Sequence, residues 1–148
     1  MYNILAVECY MNVSDIINQA LSDATQYNVV IVDSGYTALE AIKLKRFDMA
    51  FIENDLPYLS GLKTARALRR YIGFERTPFV ILVPELDEAL ISEYAGSGVA
   101  DFIEIPLKSS RIKTSAEAIL KNWKTPNDNI KNYIDFQRKR YNRENRPR

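Results

Sequence analysis

The feature that most constrains this fold is the alternation, five times over, of strand-sized apolar runs with helix-like segments. The runs are residues 3–8 (NILAVE), 28–32 (NVVIV), 48–53 (DMAFIE), 78–83 (PFVILV) and 101–105 (DFIEI). The first four are largely unbroken, the pattern expected of strands covered on both faces, and the fifth alternates more.

Between the runs, apolar residues recur at helical spacing. Ser14 is placed to cap a helix carrying Ile16, Ile17, Ala20, Leu21 and Ala24. Residues 35–45 place Ala38, Leu39 and Ile42 on one face. Residues 61–72 turn Leu62, Ala65, Leu68 and Ile72 inward and leave Arg66, Arg69 and Arg70 to solvent. A shorter helix is expected over 86–95. The last, over 109–123, opens with two serines and aligns Ile112, Ala116, Ile119, Leu120 and Trp123. Strand–helix alternation implies a parallel sheet with right-handed crossovers. Five such units make a complete, doubly wound α/β domain, which sets the expected division at 1–124 for the domain and 125–148 for a C-terminal extension.

Several function classes are excluded early. The chain has 148 residues and no histidine, so the usual general base, metal ligand and Ser-His or Cys-His pairs are missing. One cysteine, Cys9, excludes an internal disulfide and fits a reducing cytoplasm. The first residues do not read as a signal peptide, and no apolar run is long enough to cross a bilayer. Charge is uneven. Residues 129–148 hold seven Lys/Arg against two acids, net +5, and the remainder holds thirteen basic against seventeen acidic residues, net −4. Arg138, Lys139, Arg140 and Arg143, interleaved with Tyr133, Phe136 and Tyr141, form the centre of this basic tail. A solvated end is its default reading. A linker helix to a further domain and a contact with nucleic acid are the alternatives.

In an open parallel sheet, ligands bind beyond the carboxyl ends of the strands. The candidate residues there are Glu8 and Cys9 after the first run, Glu53 to Pro57 after the third, Val83 and Pro84 after the fourth, and Ile105 and Pro106 after the fifth. The stretch ENDLPYLSGL, from Glu53 to Leu62, resembles the segment around the phosphoacceptor aspartate of response-regulator receiver domains. Gly35 to Glu40, Arg66 to Arg70, Thr77 to Ile81, and Gly98 to Phe102 followed by Ile105-Pro106 are similar to further receiver segments, in order, over residues 1 to about 123. The resemblance implies a flavodoxin-like five-stranded sheet with helices on both faces, and a role in two-component phosphorelay signalling. It also implies a cis bond before Pro106 and a partner face formed by the fourth helix, fifth strand and fifth helix.

The departures from the family pattern carry the functional expectation. Where receivers hold two acids that bind Mg²⁺, this chain has Glu8 and Cys9. Glu53 replaces the phosphoacceptor aspartate, Val83 the Ser/Thr hydroxyl and Ile105 the lysine, and Phe102 retains the aromatic switch position. Mg²⁺ prefers hard oxygen ligands in tight octahedral geometry, and a thiol is a poor substitute. Glu53 is one methylene too long for the attack position, and a misplacement of about 1 Å costs on the order of a hundredfold in rate. Ile105 removes the cation that would balance a transferred phosphoryl group. The expectation is therefore a pseudo-receiver that is not an enzyme, uses no cofactor, and binds protein partners independently of phosphorylation. The alternatives are a nucleic-acid-associated regulator acting through the tail, and a phosphoswitch with an unusual acceptor.

Glu8 and Glu53 are read as a solvated pair on the sheet's rim rather than a metal site. Cys9, with no Lys, Arg or His close in sequence, is read as an inert side chain. Tyr94 and Phe102 are expected to lie exposed on the partner face, where a homodimer is one outcome.

Overall fold

A computed structural model describes residues 1–10 and 13–122. The five apolar runs form a parallel sheet of strands β1 (Tyr2–Val7), β2 (Tyr27–Val32), β3 (Met49–Glu53), β4 (Phe79–Val83) and β5 (Val99–Glu104), in the spatial order β2-β1-β3-β4-β5. The crossovers carry helices α1 (Ser14–Ala20), α2 (Gly35–Leu44), α3 (Gly61–Arg69), α4 (Glu88–Glu93) and α5 (Ser109–Asn122). This is the doubly wound flavodoxin-like fold that the alternation implies. The Ile105–Pro106 peptide is cis, as the family resemblance implies. Trp123 and the whole basic tail, with Arg138, Lys139, Arg140 and Arg143, lie outside the described residues.

Strand residues alternate between two cores because successive side chains point to opposite faces of a sheet. Leu5, Val7, Ile52, Ile81 and Val83 pack with Ala38, Ile42 and Leu68 from α2 and α3. Ile4, Ala6, Phe51, Val80 and Leu82 pack with Ile17, Ile112 and Ala116 from α1 and α5. The second strand departs from the expectation of two covered faces: β2 is an edge, and Asn28 to Val32 are only partly buried or exposed.

Helix starts follow local side-chain chemistry. Ser34 accepts from the Thr37 amide in a reciprocal capping box, Ser60 accepts from the Lys63 amide, and Asp87 accepts from the Leu90 amide at 2.7 Å. Each such cap stabilises its helix by about 1 kcal/mol. Asp87 starts α4 two residues later than the sequence pattern suggests. Ser14 makes no capping bond; Val13 stands at the N-cap, and α1 ends at Ala20, leaving Ala24 exposed. Ile72 is also exposed, because α3 ends at Arg69 and the chain turns before it.

Arg69 does not face solvent as the helical pattern suggests. Its guanidinium lies 4.0 Å from the Phe79 ring centroid and donates to the carbonyls of Phe74 at 2.6 Å, Gly98 at 3.2 Å and Ser97 at 3.3 Å. It therefore fastens α3 to β4 and to the approach to β5. Burial lowers its pKa to about 10, with Glu75 opposing the shift.

A register shift between β4 and β5 falls between Phe79 and Val80, opposite Val99 and Asp101. The extra residue lets both Ala100 and Asp101 face α5. Asp101 is buried, and its carboxylate meets Arg111 at 2.7 and 2.9 Å, the Ser115 hydroxyl at 2.7 Å and the Phe102 amide at 2.8 Å. A buried carboxylate satisfied this fully sets the rotation of α5 against the sheet.

Candidate functional site at the carboxyl edge of the sheet

The fold brings Cys9, Glu53, Val83 and Ile105 to the carboxyl ends of their strands, at the switch in strand order between β1 and β3. Glu53 ends β3 and is 0% exposed. Its Oε2 accepts from the Cys9 amide at 2.7 Å and from the Tyr10 amide at 3.2 Å. The longer glutamate side chain thus reaches across to the β1–α1 loop and fastens it to β3. Bonds from backbone amides to a carboxylate are among the stronger protein hydrogen bonds.

This geometry corrects the reading of Glu8 and Glu53 as a solvated pair. Glu53 is enclosed, and Glu8 is only partly buried. The Glu8 amide donates to the Val32 carbonyl at 3.0 Å, and Glu8 lines a cleft of about 360 Å³ with Ile31, Val32, Asp33 and Thr37. Cys9 is exposed. Among the described residues, no group of three or more Cys, Asp or Glu side chains gathers to hold a metal.

The neighbouring strand ends are apolar. Val83 is completely buried in the core beneath α2 and α3. Ile105 is half-buried against the opposite core, and its amide donates to the Val83 carbonyl at 2.9 Å. Neither side chain brings a hydrogen-bonding group or a charge to Glu53.

Tyr94 and Phe102 are not exposed. Both rings are buried and meet edge to face, with centroids 5.7 Å apart and planes at 78°. Tyr94 follows the last residue of α4 and turns inward, where its hydroxyl donates to Asn54 Oδ1 at 2.6 Å. Burial pushes the Tyr94 hydroxyl pKa up, with the Asp55 and Glu93 charges adding to the shift. Gly61 leaves room for this contact: a Cβ there would overlap the Glu53 carbonyl oxygen and come within 2.9 Å of the Tyr94 hydroxyl. Asn54, one of the strand-end candidates, joins Glu53 to Tyr94, a link that the sequence does not show.

Comparisons with known proteins agree with this fold. The chain is 27% identical over 116 residues to the chemotaxis protein CheY of Pseudomonas aeruginosa, a match covering 78% of this chain and 94% of CheY. It is also 27% identical over 116 residues to the osmosensing histidine protein kinase SLN1 of Saccharomyces cerevisiae, covering 75% of this chain but only 9% of that kinase. The structure of the chemotaxis response regulator CheY4 of Vibrio cholerae superposes with a TM-score of 0.74 at 21% identity, covering 80% of this chain and 98% of CheY4. The family profile described as "Response regulator receiver domain" matches residues 4–117, which hold all five strands from Ile4 onward and most of α5. With this profile matched over most of its length and the sheet order β2-β1-β3-β4-β5, the chain belongs to the receiver-domain family of two-component signalling.

Proposed function

We propose that this receiver domain works without phosphorylation, as a protein-interaction module with no catalytic step of its own. The observation that carries this reading is the placement of Glu53, at the position of the phosphoacceptor. Its carboxylate is fully buried and accepts two backbone amides, from Cys9 and Tyr10. A nucleophile must present a lone pair along an open approach line, and this carboxylate is turned inward to a structural task. Val83 and Ile105 offer neither a donor nor a cation to a transferred phosphoryl group.

The donor set also does not suit the Mg²⁺ of a receiver pocket. Cys9 contributes a thiol in place of a hard oxygen, Glu53 is engaged by amides, and Glu8 lines a cleft with Asp33. The chain is proposed to signal by binding a protein. Tyr94 and Phe102 act beneath the face of α4, β5 and α5 by holding its shape, and exposed residues of that face make any contact.

Incubation of the full chain with acetyl phosphate and Mg²⁺, followed by intact mass, tests the reading. No phosphoryl adduct is expected. A Mg²⁺-dependent adduct on Glu53 overturns it.

A further inference from the structure

Three of the most exposed aromatic side chains sit at one end of the sheet. Tyr10 follows β1 and is 67% exposed, Tyr36 opens α2 and is 58% exposed, and Tyr58 lies in the β3–α3 loop and is 91% exposed. Their loops adjoin one another. The Tyr10 amide donates to Glu53 at the end of β3. A Cβ on Gly35 would come within 2.8 Å of Leu59 Cδ2, so the neighbours of Tyr36 and Tyr58 are in contact. Exposed aromatics gathered in one place mark contact surfaces, because tyrosine offers a large apolar body with a polar tip and little rotamer entropy to lose.

The charge on this rim has one sign. Residues 8–10, 33–37 and 54–60 include Glu8, Asp33 and Asp55, and hold no lysine or arginine. A negative, tyrosine-rich surface fits a cation with a flat face. Arginine pairs with carboxylates through its planar fork and stacks on aromatic rings. The chain carries such a segment in residues 129–148, net +5, with Arg138, Lys139, Arg140 and Arg143 at its centre.

We propose that the tyrosine rim of one copy binds residues 129–148 of a second copy. The position of α5 favours exchange between copies. Ile119 and Leu120 near its end line a cleft with Asp48 and Pro78, which directly precede β3 and β4. α5 therefore ends at the end of the sheet opposite the rim, and a second copy can offer residues 129–148 to the rim without their having to span the domain. Reciprocal exchange closes a two-fold dimer with two identical contacts, each raising the effective concentration of the other. This extends the interaction-module reading, and the two are tested apart: phosphoryl incorporation bears on that reading alone.

Cys9, the single cysteine, is exposed between Glu8 and Tyr10 and reports directly on cover over the rim. At low ionic strength, labelling of the full chain by N-ethylmaleimide should slow about fivefold or more as protein concentration rises, and recover at high salt. The quadruple variant Arg138→Gln, Lys139→Gln, Arg140→Gln, Arg143→Gln should label fast at every concentration and sediment as a monomer. Tyr58→Asn, which keeps a residue tolerant of the local backbone, should weaken protection with an unchanged far-ultraviolet circular dichroism spectrum. Equal labelling rates in the wild-type and quadruple-variant chains overturn the proposal. Protection that is independent of concentration but lost in the quadruple variant also overturns it, in favour of the segment folding back on its own domain.

Discussion

The Tyr94 hydroxyl donates to Asn54 Oδ1 at 2.6 Å, tying the end of α4 to the residue that follows Glu53. The same ring meets Phe102 of β5 edge to face, so three elements converge on one buried tyrosine. Tyr94→Phe keeps the ring and removes the bond. A loss of about 1 kcal/mol in unfolding free energy is expected, and Tyr94→Ala should lose about 3–5 kcal/mol by opening a cavity. Urea denaturation of the two variants checks the order.

The same tyrosine predicts an alkaline limit. Its pKa is raised above the ordinary 10.0 in the folded state, chiefly by burial. The folded chain then holds a proton that the unfolded chain releases, so this contribution is complete below pH 10 and falls away above it. The slope should reach at most about 1.4 kcal/mol per pH unit. Stability measured from pH 8 to 11 should fall less steeply in Tyr94→Phe than in the wild type; equal slopes would remove Tyr94 from the account.

Asp101 and Arg111 form the most enclosed ion pair among the described residues, with Arg111 Nη1 2.7 Å from Asp101 Oδ2. Arg111→Met leaves the carboxylate with only Ser115 and the Phe102 amide among these partners. A loss of about 3–5 kcal/mol is expected, the range for stranding one charge of a buried pair. The double variant Asp101→Asn, Arg111→Met should recover part of it. A single variant as stable as the wild type would show that α5 does not depend on this pair.

Tyr58 adopts φ 66°, a left-handed backbone that bulky side chains avoid, while its ring is almost fully exposed. Tyr58→Gly relieves the backbone and forfeits little burial, so stability should rise by about 1 kcal/mol. Thermal unfolding checks the sign. A gain in stability together with loss of Cys9 protection would show a residue kept for contact against its own conformational preference.

Millimolar Mg²⁺ should leave the melting temperature unchanged, since a ligand that binds only the folded state must raise it by mass action. A saturable rise abolished by Glu8→Gln would reveal a metal site built around that residue.

The five apolar runs and the helix-like segments between them were enough to place five strands and predict a parallel sheet, because apolar spacing is a pattern that each segment carries by itself. The residue types at 9, 53, 83 and 105 were likewise open to reading, since a thiol or a valine lacks a carboxylate or a hydroxyl in any fold. Direction and enclosure were not. Tyr94 stands where α4 ends, and a six-residue helix has too few turns to define which way its last ring points. Arg69 matched a solvent face by periodicity, yet its partners Phe79, Ser97 and Gly98 come from elements ten or more residues away and exist only once β4 and β5 are paired. Glu53 was legible as an acid at a strand end. Its role as a buried clamp on the Cys9 and Tyr10 amides was decided by the parallel pairing of β1 with β3, which brings together groups 43 and 44 positions apart. Side-chain type is local, whereas burial and hydrogen-bond partners depend on which distant segments pack together.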